Sequence, residues 1–228
     1  MGTKKFIVSI LEINMNGNAL DFFHTLAKKD GIEPDVVKFS KSNDFSAFDM
    51  DFVKPYLGCS VDWLDVGAGT GLLINGLHQK VRNVVAIEPV EEFSNFIVKA
   101  ENVSVINETH SGYIEKYADM PFELITCFGF IQYLNTQEAL DFYKKFYPLL
   151  KENGKFIVKN QFGVQGDVVV DTFSEALQSV YYSEYRTLEH EKKLMAEAGF
   201  KNFEVVDIYP PECSKWDNTH YFAIVAEK

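Results

Sequence analysis

The sequence predicts an α/β fold, a doubly wound sheet of seven strands in which five or six are parallel and the last is antiparallel, beneath an N-terminal helical cap. Three observations lead there. From about residue 61 onward short apolar runs alternate with amphipathic stretches, and parallel neighbours need a crossover of about a dozen residues or more, usually a helix. The first apolar run turns directly into a glycine-rich stretch, W-L-D-V-G-A-G-T-G (63–71). The last two runs are joined without helical patterning, which fits an antiparallel hairpin at a sheet edge.

The elements follow in order. V-D-W-L-D-V (61–66) reads as a short buried strand and T-G-L-L-I-N-G-L-H-Q-K (70–80) as the helix after it. N-V-V-A-I (83–87) is the second strand, with a helix from Glu91 through Ala100. V-S-V-I (103–106) and F-E-L-I-T-C-F (122–128) are the third and fourth strands. Asn135 with Glu138 three residues on has the form of a capping box, and Leu140, Tyr143, Tyr147 and Leu150 keep helical spacing until Asn153-Gly154. K-F-I-V-K (155–159) is the fifth strand, a helix over roughly 184–198 closes at Gly199, and F-E-V-V-D-I (203–208) and Y-F-A-I-V-A (221–226) form the hairpin. Two segments stand outside this frame. Residues 1–60 form the cap, where Phe45, Phe48 and Phe52 share a face before Pro55 ends or kinks the helix. An insertion lies at about 163–183 within the core of 61–228, and both segments fall at the carboxyl ends of the strands, where open α/β sheets bind ligands.

Composition narrows the function classes. The 228 residues are 46% apolar and 24% charged, the balance of one globular domain. A formal net charge of −11 disfavours nucleic acid and anionic membrane as partners. The apolar run after Lys4-Lys5 stops at Glu12, too short for a span and without a signal-peptide cleavage site, and Phe6 stands where an acylation signal needs Ser or Thr. Cys59, Cys127 and Cys213 are far apart with no C-x-x-C pair, so buried free thiols and a cytoplasmic address are expected. No clustered His/Asp/Glu set suggests a metal.

The glycines carry the chemistry. Gly67, Gly69 and Gly71 follow a buried strand, where they allow a sharp turn and close approach of a ligand, and Glu88 at the tip of the second strand is placed to take both hydroxyls of a ribose. A dinucleotide fingerprint fails because Leu72 occupies its third glycine position, and no G-K-[ST] exists for a P-loop. D-V-G-A-G-T-G, the strand-tip acid and the terminal hairpin resemble the class I S-adenosylmethionine-dependent methyltransferases, over residues 61–228. The resemblance implies a Rossmann-like core that binds S-adenosylmethionine and releases S-adenosylhomocysteine. It assigns cofactor contacts to Asp65, Gly67, Ala68, Gly69 and Gly71, to Glu88 and Pro89, to Glu108 and Thr109 after the third strand, and to Phe128 after the fourth. Glu108 departs from the commoner Gly-Asp pair there. A-G-F (198–200) is a further family feature.

Methyl transfer needs a nucleophile held about 3–3.5 Å from the methyl carbon, and a hydroxyl acceptor benefits from a base. His24, His78 and His190 fall in helical stretches and read as surface or packing residues. His220, entering the last strand from the ligand side, and His110, just past the third strand, are the two candidates, with ordinary loop hydrogen bonding as the alternative for each. Gln132, Tyr133, Asn160 and Gln161 lie past the fourth and fifth strands as candidate acceptor contacts. Tyr182 and Tyr185 suit a pocket wall or cap packing, and Arg186 suits a phosphate or carboxylate or a salt bridge. The expected acceptor is a small polar molecule, with oxygen before nitrogen as acceptor atom; a non-catalytic S-adenosylmethionine-binding protein is the other class. K-N-Q-F-G-V, Y-Y-S-E-Y-R and W-D-N-T-H-Y-F-A resemble segments of bacterial small-molecule methyltransferases of surface-carbohydrate (capsule) biosynthesis, some acting on phosphoramidate precursors. A monomer or homodimer is expected.

Overall fold

The computed structural model describes residues 15–28, 31–34, 45–117, 120–175, 179–210 and 217–228. Two cap helices, α1 (Met15–Ala27) and α2 (Ser46–Val53), precede the core. There β1 (Asp62–Val66), α3 (Leu72–Leu77), β2 (Asn83–Ile87), α4 (Glu91–Ser94), β3 (Val103–Ile106), α5 (His110–Tyr117), β4 (Phe122–Phe128), α6 (Thr136–Phe146) and β5 (Leu150–Gly163) alternate. A two-stranded antiparallel ribbon follows, β6 (Val168–Ser174) with β7 (Ser179–Tyr185), then α7 (Leu188–Ala198), β8 (Lys201–Val206) and β9 (Thr219–Glu227). The main sheet has seven strands in the order β3-β2-β1-β4-β5-β9-β8. Strands β1 to β5 are parallel, and β9 runs antiparallel between β5 and β8.

The apolar runs form strands because both faces of the sheet are covered. All five residues of β1 are buried. On one face Leu64, Ile125, Phe156 and Ile224 pack with Phe142, Phe146 and Met195 of α6 and α7. On the other Trp63, Leu124, Ile157 and Ala223 pack with Val53, Ile74 and Leu77 of α2 and α3. Each fully buried Leu, Ile or Phe contributes roughly 1.5–3 kcal/mol.

The five core strands stand where the apolar runs put them, and the seven-stranded sheet with its antiparallel last strand agrees with the expected fold class. Other elements differ. The helix after β2 keeps only Glu91–Ser94, and the residues after it form turns. The helical spacing that continued to Leu150 stops at Phe146: a 3-10 turn with Pro148 follows, and Leu150 joins the sheet opposite Phe122. Leu150 is apolar because it is a buried strand residue, and Asn153, with φ 63°, turns the chain inside a register shift. The insertion is the β6–β7 ribbon, and α7 starts at Leu188, capped by the Thr187 hydroxyl that accepts from the His190 amide. Cys127 is buried as expected, whereas Cys59 is exposed; Cys213 and Trp216 lie outside the described residues. Among the described residues no helix is long and apolar enough to cross a membrane.

The capping box of α6 is complete, with the Asn135 side chain accepting from the Glu138 amide and the Glu138 carboxylate accepting from the Asn135 amide, each at 3.0 Å. Asn135→Ala removes one partner of that exchange, and urea unfolding should show a loss of about 1 kcal/mol with an unchanged slope.

Candidate functional site

Strand order reverses between β1 and β4, and a crevice opens at such a switch point outside the carboxyl ends of the strands. A cavity of about 300 Å³ occupies it, bounded by the glycine loop, the tips of β2 and β4, Lys159 of β5, and the cap helices α1 and α2.

The loop after β1 is held in a shape that side chains disfavour. Gly67, Gly69 and Gly71 have φ of 72°, 55° and 75°, in the left-handed region that glycine enters without strain. A Cβ on Gly67 would stand 3.0 Å from Phe130, and one on Gly71 would stand 2.7 Å from Ile97. The amides of Gly67 and Ala68 both donate to the Ile87 carbonyl, at 3.0 Å each, and so tie the loop to the end of β2. One residue further, the Glu88 carboxylate accepts from the Gly69 amide at 2.8 Å and from the Val90 amide at 2.9 Å.

Two carboxyl groups sit deep in this half of the cavity. Glu88 is pushed up to about 7, chiefly by burial, although the Val90 and Gly69 amides oppose the rise; nearby Asp65 adds to it. Asp65 is pushed up to about 6 by burial, against a 2.5 Å hydrogen bond from the Thr126 hydroxyl. Thr126 in turn accepts from the Trp63 indole at 2.6 Å, a chain that orients the carboxylate from within the core. Ribose hydroxyls and an ammonium are the ligand groups these acids suit, and a Cβ on Gly129, opposite them, would meet no protein atom within 4 Å. A nucleoside with a short amino-acid tail, as in S-adenosylmethionine, therefore fits the residues present.

Most of the expected cofactor contacts come together. Asp65, Gly67, Ala68, Gly69, Glu88, Pro89, Thr109 and Phe128 line the cavity, with Gln132, Tyr133 and His110. Gly71 lies behind the loop as the residue before α3, and Glu108 is ion-paired with Lys116 outside the lining.

His220 does not reach the cavity. In β5 and β9 successive side chains alternate between faces, and directly opposed residues share one. Lys159, Gln161 and Tyr221 thus share the α2 face, while Asn160, Phe162, His220 and Phe222 share the other. The His220 ring lies 4.7 Å from that of Phe222, and its Nε2 is 2.9 Å from the Asp207 carboxylate. Asn160 is buried outside the cavity lining, and Gln161 donates to the Thr219 hydroxyl at 2.5 Å. Arg186 is not presented to a ligand either: its buried guanidinium donates to Glu191 at 2.7 Å and to the carbonyls of Leu134 and Ile131 at 2.8 and 3.0 Å. It fixes the turn that carries Gln132 and Tyr133. Tyr182 donates to Glu184, and Tyr185 meets the Tyr181 hydroxyl; neither lines the cavity. His110 does line it, wedged against Phe130 and Phe142, and burial followed by the Lys145 charge lowers it to about 4, so the ring is neutral at pH 7.

The other half of the cavity holds residues that sequence reading missed. Asp49 of α2, Lys159 of β5, Tyr209 and Tyr221 meet there. Lys159 carried a usable signal, since it pairs with Phe128 in register and so sits level with an expected cofactor contact. Asp49 carried none, because only the fold brings residues 110 apart in sequence into contact. Among the described residues no group of three or more His, Cys, Asp or Glu side chains is placed to hold a metal.

The raised Glu88 fixes a sign. Its protonated form is favoured in the folded, ligand-free protein, so the stability it contributes is full below its ordinary 4.5 and is lost as pH rises through about 7. Chemical denaturation at pH 5 and pH 8 should show the wild type losing up to about 3 kcal/mol more than Glu88→Gln, with Asp65 leaving a smaller dependence in both.

Residues 64–158 match the family model described as a methyltransferase domain. Among curated proteins no sequence matches the chain. Solved structures do. One is a SAM-dependent methyltransferase from Leishmania major, 20% identical, matched over 94% of this chain and 83% of that one with a TM-score of 0.69. DhpI, in a complex with SAM and HEP, is 11% identical over 94% and 98% of the two chains, with a TM-score of 0.71. Phosphoethanolamine N-methyltransferase 1 from Haemonchus contortus is 15% identical over 94% and 49%, with a TM-score of 0.69. Residues 64–158 thus match a methyltransferase domain, and the chain has the Rossmann-like fold seen in solved S-adenosylmethionine-dependent methyltransferases.

Proposed function

We propose that this enzyme uses S-adenosylmethionine to methylate a hydroxyl group of a small polar acceptor, of the sugar, nucleotide-linked or phosphorylated class. The observation that carries the cofactor is the Glu88 carboxylate, held at the tip of β2 by the Gly69 and Val90 amides beside a left-handed glycine loop. Its remaining lone pairs accept from both ribose hydroxyls, and Asp65 faces the ammonium end. Gly67, Ala68 and Gly69 let the ligand approach the backbone, and Pro89, Thr109 and Phe128 wall it. The bound cofactor supplies an electrophilic methyl carbon on a sulfonium.

On the acceptor side, Gln132 and Tyr133 orient the substrate, and the neutral His110 ring accepts a hydrogen bond from its hydroxyl. Phe23, Phe128 and Phe130 exclude water from the reacting atoms. Size supports a small acceptor, since a cavity of about 300 Å³ lies at the lower end of the range for small-molecule pockets. Surface-carbohydrate biosynthesis is the setting we favour, on the likeness of the cap segments. Methyl transfer to a small amine is the second reading, favoured by the Asp49 carboxylate in the cavity and by the fold shared with an enzyme named as an N-methyltransferase.

Calorimetry should show saturable binding of S-adenosylmethionine and S-adenosylhomocysteine, none of NADH or NADPH, and at least a tenfold loss for Glu88→Ala, which is about 1.4 kcal/mol. The affinity should also fall as pH drops below about 7, because the carboxylate form receives the ribose. Binding of a nicotinamide nucleotide, or sulfur-nucleotide binding indifferent to Glu88, would contradict the proposal.

A further inference from the structure

The two halves of the cavity differ in the groups they offer. The half at β1 and β2 presents carboxylates, whereas the half at β4, β5 and β9 presents an ammonium and phenol hydroxyls, with Asp49 of α2 as its carboxylate. Lys159 is the one lysine or arginine that lines the cavity among the described residues. Its side chain is only 12% exposed, and its ammonium lies 5.1, 5.4 and 5.9 Å from the ring centres of Phe128, Tyr209 and Tyr221. It donates to Asp49 at 3.0 Å and to the Tyr209 hydroxyl at 2.9 Å, and Tyr209 itself donates to Asp49 at 2.7 Å. An ammonium has three N–H groups, so one is left over after these two partners. Tyr133 and Tyr221 are both raised by burial, Tyr133 to about 12, so each keeps its proton as a donor.

A buried ion pair is a poor stabilising device, because desolvation offsets its Coulombic gain. Its position on a cavity wall argues for use by a ligand instead. We propose that Lys159, with the Tyr221 hydroxyl beside it, is the acceptor's anion subsite, taking a carboxylate or phosphate group. This rests on the methyltransferase reading above and narrows its substrate class. The anion takes the third N–H of Lys159 and competes with Asp49 for the ammonium, so the Asp49 charge opposes binding in the resting protein.

The probes are inorganic phosphate and acetate, titrated by calorimetry into protein saturated with S-adenosylhomocysteine, against sodium chloride of equal ionic strength. One anion or both should bind the wild type, and the stronger of the two identifies the group. Lys159→Met should abolish that binding while keeping its affinity for S-adenosylhomocysteine, which also reports that the variant is folded. Asp49→Asn removes the competing charge and should bind the anion about tenfold more tightly. The subsite is overturned if S-adenosylhomocysteine binds but neither anion does, if Lys159→Met binds the anion as the wild type does, or if Asp49→Asn binds it more weakly. Failure of S-adenosylhomocysteine itself to bind would bring down the methyltransferase reading and this subsite with it.

Discussion

Glu88 receives one backbone amide from the glycine loop, Gly69, and one from the turn after its own strand, Val90. Those two hydrogen bonds close the end of the sheet where β1 and β2 meet, and they do so with a carboxylate nine-tenths removed from water. Burying such a group without full compensation is unfavourable to its charged form, which is why it is pushed up to about 7. The ligand-free protein thus holds a site under electrostatic tension that a donor-rich ligand relieves. The left-handed glycines belong to the same constraint, because only glycine lets the Gly67, Ala68 and Gly69 amides turn back toward β2.

The rest of the fold positions that corner. Parallel strands β1 to β5 put their carboxyl ends at one edge, and the reversal of order at β1 and β4 leaves the crevice there. Arg186 acts at a distance from the ligand. By holding the carbonyls of Ile131 and Leu134 it sets the turn that presents Gln132 and Tyr133, and Glu191 balances its charge, held in turn by the Tyr143 hydroxyl. Helix α1 closes the cavity through Ala19, Leu20 and Phe23, whose ring meets Tyr133 edge-on.

What could be read in advance followed the strength of local patterns. Apolar and β-branched runs mark parallel strands, so N-V-V-A-I and F-E-L-I-T-C-F delimit β2 and β4 to the residue, and V-S-V-I does the same for the more exposed edge strand β3. Glycine spacing and a strand-tip acid pointed to residues that line the β1–β2 half of the cavity for the same reason: both are properties of a single short segment. Apolar spacing misled where two periods overlap, as at Leu150, which satisfies a helical repeat but is buried in the sheet. The ribbon β6–β7 was missed although V-V-V-D-T-F and V-Y-Y-S-E-Y carry the β-branched and aromatic residues of strands; its two strands pair with each other, outside the main sheet. His220 was placed at the right edge of the sheet and on the wrong face, since period two along β9 separates it from Tyr221 next door. The other half depends on Asp49, Lys159 and Tyr209, which long-range packing assembles, and no local pattern announces Asp49 as their partner.

The central claim is that one cavity seats the cofactor against Glu88 and leaves its β4–β5 end for the acceptor. A crystal structure of the protein grown with S-adenosylhomocysteine tests this directly. The account predicts the ribose hydroxyls within hydrogen-bond distance of the Glu88 carboxylate, the amino-acid tail beside Asp65 and the glycine loop, and the sulfur facing Phe128 and the Lys159 end. A nucleotide bound elsewhere, or in this cavity with its ribose away from Glu88, would contradict it.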